Sequence, residues 1–394
     1  MVSAKGRAED AAGGLHVLTV TPFYPFEGDD ANGCFVAEPI DALGKLGIRN
    51  TVIAVQPFYR SRRASVSSYP CEWCQYFSLP GGAGLPVAGA FLFARIVGRV
   101  RELLRTEPID LIHAHGPLPC GHAAMLLSRE LGLRYVVSVH GLDAFSTAQV
   151  SGRAGEWCRR VSRRIYAGSR RVICISEHVR EAVLEGLGRN CRTSVVYNGV
   201  DVERFTPALE STPSLLTILS VGNLIPTKGH EYLIRALAAL VPEFPALELQ
   251  IIGEGALRER LQSCTEKLGV AGRVHFCGRQ SRAQVVDAMR RCTVFALPSS
   301  YEGLGCVYLE AMACAKPAIG CRGQGIAEVI QQGKNGFLVG PENEEELALA
   351  FAMLLREPER RRNVGATARE TILDGFMLQQ QAENLERIYR ESVA

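Results

Sequence analysis

Two glutamates, Glu302 and Glu310, stand eight positions apart in SSYEGLGCVYLEAMACAKP (299–317), where a Gly-x-Gly turn runs into an apolar segment. A carboxylate is costly to bury without partners. Two of them beside flexible glycines read either as a solvated turn or as a site for a ligand rich in hydroxyls. The apolar run is expected to form a helix from about Leu304 to Ala315, stopped by Pro317. Eight residues of helix rise about 12 Å, and roughly two turns bring Glu310 back to the side of Glu302. The helix start adds unpaired N–H groups and the positive end of a dipole, which suit phosphate. On spacing alone the solvated turn is the commoner explanation. A second anion signal shifts the balance. In Asn223-Leu-Ile-Pro-Thr-Lys228-Gly229 a lysine stands between a strand and a helix, where a cation and N–H groups can hold phosphate together. Two such helix starts with a carboxylate pair point to a diphosphate flanked by hydroxylated groups, the form of a nucleotide sugar.

The elements that must position these residues alternate. LHVLTV (15–20), NTVIAV (50–55), IDLIHAH (109–115), RYVVSVH (134–140) and RVICIS (171–176) read as strands separated by helical patterns. Near-continuous apolar runs alternating with helices mean parallel sheets buried on both faces. The pattern halts at VDVERFTPALESTPS (200–214), which reads as a linker, and restarts with TILSVGN (217–223), LELQIIGEG (247–255), RVHFCG (273–278) and TVFALPSS (293–300). Two α/β domains follow, divided near residue 205, with ligands expected where strands end and helices begin.

The 394 residues, 47% hydrophobic and 22% charged, suffice for two cores, and a net charge of +3 gives no footing for a nucleic-acid partner. MVSAKGRAEDAAGG lacks the apolar run of a leader, and LPVAGAFLFARIVGRV (85–100) is broken as a membrane span by Arg95 and Arg99. A cytoplasmic chain is the expectation. RAGEWCRRVSRRIYAGSRR (153–171) interleaves arginines with Trp157, Val161, Ile165 and Tyr166, a candidate for peripheral contact with anionic head groups at the inner face of a membrane. A solvated helix face explains it as readily. Thirteen cysteines scattered through apolar runs read as buried thiols. Cys71 and Cys74 form the one Cys-x-x-Cys, with no second pair at zinc spacing. His113 and His115 share one face of a strand, but no carboxylate or third histidine lies close in sequence, so a metal site is not expected. His140 ends a strand three residues before Asp143.

VGNLIPTKG, SSYEGLGCVYLEAMACAKP and VVYNGVDVERF, with IDLIHAHGPLPCGHAAMLL, SVHGLD, VICIS and TPFYPFEGDDANGCFV, resemble the motifs of family 4 glycosyltransferases, the retaining GT-B enzymes, over nearly the whole chain. The resemblance implies two Rossmann-like α/β domains facing each other across a cleft. An acceptor-side domain would span 1–205 and a nucleotide-sugar-binding domain 206–375, with a helix from 376 to 394 crossing back to the first. It implies that Glu310 binds ribose hydroxyls, Glu302 the transferred sugar and Lys228 the diphosphate. The amides of Gly303, Leu304 and Gly305 would meet phosphates or sugar. Gly33 would let its loop approach the diphosphate, Arg279 and Gln280 would lie near the base, and His140 would lie near the transferred sugar. His140, Glu302 and Lys228 are then the catalytic candidates. Many members carry arginine where this chain has Asn223; an asparagine at this donor-binding position can still donate a hydrogen bond but brings no charge, so strong diphosphate binding is not expected of it. The implied reaction moves a hexosyl or N-acetylhexosaminyl group from a UDP-linked or, second, a GDP-linked sugar to a hydroxyl of a glycan or lipid-linked acceptor. No cofactor and no metal ion are expected. A sugar-nucleotide epimerase and a sugar-nucleotide-binding protein with weakened catalysis are the alternatives on this architecture.

Overall fold

The computed structural model describes residues 14–82, 84–146, 150–187, 191–208 and 216–394. The opening residues 1–13 and the 209–214 part of the expected linker lie outside the described residues. The apolar runs form two sheets, and every strand pairing in them is parallel. The first contains β1 (His16–Thr21), β2 (Arg49–Pro57), β3 (Glu72–Tyr76), β4 (Leu111–His115), β5 (Arg134–Val139), β6 (Val172–Cys174) and β7 (Thr193–Val195). Its strand order is β3-β2-β1-β4-β5-β6-β7. The second contains β8 (Leu216–Val221), β9 (Leu247–Ile252), β10 (Val274–Gly278), β11 (Val294–Ala296), β12 (Ala318–Cys321) and β13 (Gly336–Val339), in the order β10-β9-β8-β11-β12-β13.

Each sheet reverses its winding beside its first strand: β1 lies against β4, and β8 against β11. Chains leaving two such neighbours in opposite directions open a crevice at the carboxyl ends of the strands, where open α/β sheets bind ligands. The loops so placed are 22–33 and 116–121 in the first sheet, and 222–229 and 297–305 in the second.

The chain forms two compact units. The first runs up to Ile175 and adds Val179–Val196 and Ala382–Ala394; the second takes Ser176–His178 and Tyr197–Gln381. In the first, β1 and β4 are buried along their whole length. In the second, Ile218, Leu249, Ile251, Val294 and Ile319 of the sheet pack with Leu233 and Leu237 of the helix His230–Leu240 and with Phe351 and Leu354 of the helix Glu344–Arg356. Asn343 caps the latter helix, its Oδ1 accepting from the Glu346 N–H at 3.0 Å. No helix among the described residues is long and apolar enough to cross a membrane.

The start of the stretch read as a linker is instead strapped to the second unit. Phe205 is fully buried, Arg290 donates to the carbonyls of Thr206 (3.2 Å) and Arg204 (2.8 Å), and Arg369 donates to that of Phe205 (3.2 Å). The last helix, Leu378–Val393, carries Tyr389 into the first unit. There the phenol meets His113 Nδ1 at 2.7 Å, while His113 Nε2 meets Ser138 Oγ at 2.7 Å, all of it buried. Tyr389→Phe leaves a buried ring nitrogen without its partner, so it is expected to lower stability by about 1–3 kcal/mol. A denaturant melt reads this, and an unchanged midpoint would mean that water replaces the hydroxyl without loss.

Candidate active site

In the second unit Lys228 closes a short 3-10 turn, Pro226–Lys228, in the loop after β8. Its Nζ lies 2.5 Å from Glu302 Oε2, in the loop after β11, with both side chains mostly shielded from water. The Glu302 backbone is held on both sides: its N–H donates to Gln324 Oε1 at 2.9 Å, and its carbonyl accepts from the Gly325 N–H at 3.0 Å. The next carbonyl, that of Gly303, accepts from the Ser176 hydroxyl at 2.5 Å.

The helix that follows runs from Cys306 to Ala313, shorter at each end than the expected Leu304–Ala315. The physical reasons are local. Leu304 has its side chain fully buried in the core, and Gly305 stands at φ 81 with its α-carbon tight against Tyr308; a Cβ there would come within 2.6 Å of the Tyr308 ring. At the far end Ala315 takes a positive φ, so the helix stops before Pro317.

Glu310, 2% exposed, faces into the protein rather than along the surface. Its Oε1 lies 2.6 Å from Arg282 Nη1. Arg282 opens the helix Arg282–Arg291, fixed there by a reciprocal cap: Gln284 N–H donates to Ser281 Oγ at 3.3 Å, and Ser281 N–H to Gln284 Oε1 at 2.9 Å. The guanidinium also sits 4.8 Å over the ring of the strapped Phe205. The two glutamates therefore have separate cations on separate elements. Sequence reasoning missed Arg282 and Gln324. The Ser281-x-x-Gln284 spacing was the available signal for Arg282, since it places that arginine at the first helical position. Arg279 is exposed, and Gln280 turns back to the Cys277 carbonyl at 2.7 Å. Asn223 is exposed beside β8, its carbonyl accepting from the Ile225 N–H at 2.8 Å.

Gly33 and His140 belong to the first unit. Gly33 caps the helix Cys34–Lys45 at φ 68, and a Cβ there would approach the Phe23 carbonyl carbon to 2.3 Å, so its own loop already demands glycine. His140 follows β5, and the β4–β5 pairing sets it beside His115, with Nε2 3.0 Å from His115 Nδ1 and the rings stacked at 5.2 Å. A third histidine is thus close in space though not in sequence. Among the described residues, no group of three or more His, Cys, Asp or Glu side chains is placed to hold a metal ion. Desolvation holds His113 down to about 3 and His140 to about 4, and His115 falls well below its ordinary value for the same reason. Neutral imidazoles can share one proton between His115 and His140, and His140 Nδ1 is buried without a hydrogen-bond partner. The His140 N–H donates to Asp143 Oδ1 at 2.9 Å; desolvation nonetheless lifts the Asp143 carboxyl to about 6. His115 and Asp143 line a cavity of about 360 Å³ at the ends of β1, β2 and β4, together with Phe23, Gln56, Arg60 and Arg63. Cys71 and Cys74 are thiols, and desolvation raises Cys71 to about 12, which leaves it little thiolate.

The Glycosyltransferase Family 4 family model matches residues 35–204, and the Glycosyl transferases group 1 family model matches residues 202–371. An uncharacterised glycosyltransferase of Methanocaldococcus jannaschii is 30% identical over 68% of this chain and 72% of its own. This chain belongs to glycosyltransferase family 4. A second relative of the family 4 protein, the GDP-mannose-dependent α-(1-6)-phosphatidylinositol monomannoside mannosyltransferase of Mycolicibacterium smegmatis, is 28% identical over 71% of this chain and 76% of its own. Among solved structures, Anabaena HepE in complex with UDP-glucose superposes with a TM-score of 0.73 at 23% identity, covering 95% of this chain and all of that one (100%). The fold of this glycosyltransferase is GT-B, two parallel-sheet α/β domains.

Two outcomes follow from the site's charges. Arg282→Met takes the cation at 2.6 Å away from the buried Glu310 carboxylate, at a cost of about 3–5 kcal/mol, whereas Arg282→Met with Glu310→Leu recovers much of that. Equal losses in denaturant melts of the single and double variants would refute the pairing. The histidines give a pH dependence. Below 6.5 the unfolded chain binds protons that the folded histidines refuse until about 4 (His140 and His230) or about 3 (His113). Stability therefore falls as pH drops from 6.5 toward 4. Asp143 opposes this, since its folded carboxyl takes up a proton near 6 rather than 3.8. Asp143→Asn is expected to steepen the acid loss in a series of melts, and an unaltered slope would count against it.

Proposed function

We propose that this family 4 enzyme transfers a hexosyl or N-acetylhexosaminyl group, with retention, from a nucleoside-diphosphate sugar to a hydroxyl of a glycan or lipid-linked acceptor. UDP-linked donors are the first candidates and GDP-mannose the second. The observation that carries this reading is the Lys228–Glu302 contact of 2.5 Å at the β8/β11 crossover. It puts an ammonium that can meet a diphosphate beside a carboxylate that can accept from sugar hydroxyls, and Glu310, on the helix that follows this loop, is assigned the ribose. Of the two similar proteins, one is GDP-mannose-dependent and one was solved with UDP-glucose, which supports a nucleotide-sugar donor of either base.

In the proposed step the bond between the sugar's anomeric carbon and the diphosphate oxygen breaks, and the diphosphate leaves with the electron pair. The acceptor oxygen bonds to the same face of that carbon, and its proton passes to the departing phosphate oxygen. The protein's part is to hold both partners and to stabilise the leaving group's growing charge. Lys228 and the amides of Gly303, Leu304 and Gly305 are assigned the charge. Glu302 and a neutral His140 are assigned the sugar hydroxyls, and Gly33, Asn223, Arg279 and Gln280 the edges of the donor. No cofactor or metal ion enters this scheme.

The test begins with thermal stabilisation by a panel of nucleotides and nucleotide sugars, since a ligand at a hundredfold excess over its Kd stabilises by roughly 2.7 kcal/mol. No shift with any nucleotide would end the reading, and donor consumed without acceptor would favour an epimerase. Once the donor is known, Lys228→Ala is expected to lower kcat more than it lowers diphosphate affinity, because leaving-group charge grows in the transition state. Asn223→Ala should cost less, as a neutral donor contributes less than a charged one. Equal damage from the two substitutions would assign Asn223 a specific orienting role.

A further inference from the structure

Four exposed aromatic side chains of the first unit gather on neighbouring elements. Phe58 and Tyr59 leave the end of β2, Phe77 follows β3, and Phe91 stands on the helix Leu85–Thr106. The Phe58 and Phe77 rings stack at 5.3 Å, Phe77 meets Phe91 edge-on at 5.0 Å, and Phe58 meets Tyr59 at 5.7 Å. Even so, Phe58, Phe77 and Phe91 remain 52%, 47% and 44% exposed, and Leu79 beside them 51%. Apolar rings that touch one another and still face water mark an interaction surface rather than scattered surface residues.

Three guanidiniums without an acidic partner stand near this ladder, and the acids on the same elements, Glu72 and Glu102, are both taken up by Arg99. Arg60 and Arg62 stand one and three positions after Tyr59, and Arg95 lies one turn beyond Phe91 on the same exposed side of its helix. Among the described residues none of these three guanidiniums is ion-paired, whereas Arg99, a further turn along, is closed by Glu72 at 2.6 Å and Glu102 at 2.8 Å. The arginine-rich segment singled out in the sequence is built differently. In the helix Gly152–Gly168, Arg160 reaches Glu156 at 3.4 Å, Arg163 donates to the Gly186 carbonyl at 2.8 Å, and Trp157 is its lone exposed aromatic.

Aromatic rings settle at the head-group level of a bilayer, and unpaired guanidiniums meet anionic head groups there. We propose that Phe58, Phe77 and Phe91, flanked by Arg60, Arg62 and Arg95, dock the first unit on an anionic bilayer surface. Tyr59 and Leu79 belong to both this patch and the wall of the 360 Å³ cavity, so a docked molecule has its cavity wall at the head-group layer. The consequence for an acceptor, delivery from the lipid surface, rests on the transferase reading; the docking itself does not.

The test is co-sedimentation of the full chain with vesicles of phosphatidylcholine, with and without phosphatidylglycerol. Binding to the anionic vesicles, weakened by added salt, is expected. Phe58→Ser with Phe77→Ser and Phe91→Ser should reduce it by roughly tenfold or more, while tryptophan at the same three positions should retain it. Arg62→Gln with Arg95→Gln should abolish the preference for phosphatidylglycerol, and Arg159→Gln with Arg160→Gln and Arg163→Gln should leave binding intact. Thermal stabilisation by nucleotide, unchanged in all these variants, shows that they fold and separates a failure of docking from a failure of the transferase reading. Undiminished binding by the serine variant, or loss confined to the variant at 159, 160 and 163, would overturn the proposal. So would a wild-type chain that ignores anionic vesicles and self-associates through the three phenylalanines.

Discussion

The buried ion pair between Arg282 and Glu310 is the constraint on which the second unit's site is built. A carboxylate 2% exposed within a helix interface is tolerable only with a cation at bonding distance, here 2.6 Å. That requirement fixes one helix against another: Cys306–Ala313 supplies the acid, and Arg282–Arg291 supplies the base from its first residue. It also recruits the chain near Phe205, whose ring lies under the guanidinium and whose flanking carbonyls are bound by Arg290 and Arg369. Moving either helix separates the two buried charges, and moving the Phe205 segment uncovers the guanidinium.

The two sheets offer the same crevice by the same winding, but furnish it with different chemistry. The second unit presents full charges in matched pairs, Lys228 with Glu302 and Arg282 with Glu310. The first presents imidazoles that desolvation keeps neutral, rings from Phe23 and Phe35 around His140, and a carboxyl lifted to about 6. Ionic partners suit a ligand that arrives charged. Neutral hydrogen-bonding groups in an apolar wall suit hydroxyls, whose orientation matters more than their charge.

What could be read in the sequence was what is local. The apolar runs fixed the strands because parallel strands are buried on both faces, and the Glu-Gly-x-Gly turn and the lysine before a helix announced themselves by spacing. What escaped is what the fold assembles from distant places. Arg282 lies only three positions past Arg279, yet choosing between them needs the register set by the Ser281–Gln284 cap and the contact with Glu310. His115 and His140 become neighbours only once β4 pairs with β5. Phe205 looked like linker because prolines and serines follow it, and its burial depends on arginines more than eighty positions further on. The helix after Glu302 was placed too early because Leu304, apolar and helix-favouring, serves as an anchor for the turn instead.

On the proposed reading, the contact between Lys228 and Glu302 works as a conjunction. An anion alone competes with the carboxylate for the ammonium, and opening the pair strands the glutamate. A polyhydroxyl compound alone draws the glutamate away and strands the lysine. Stranding either ion in a shielded loop forfeits most of what the new contact gains. A molecule that carries both groups, joined at the right separation, replaces each half of the pair at once and strands neither. Free phosphate and free sugar would each be poor competitors for that pair of groups.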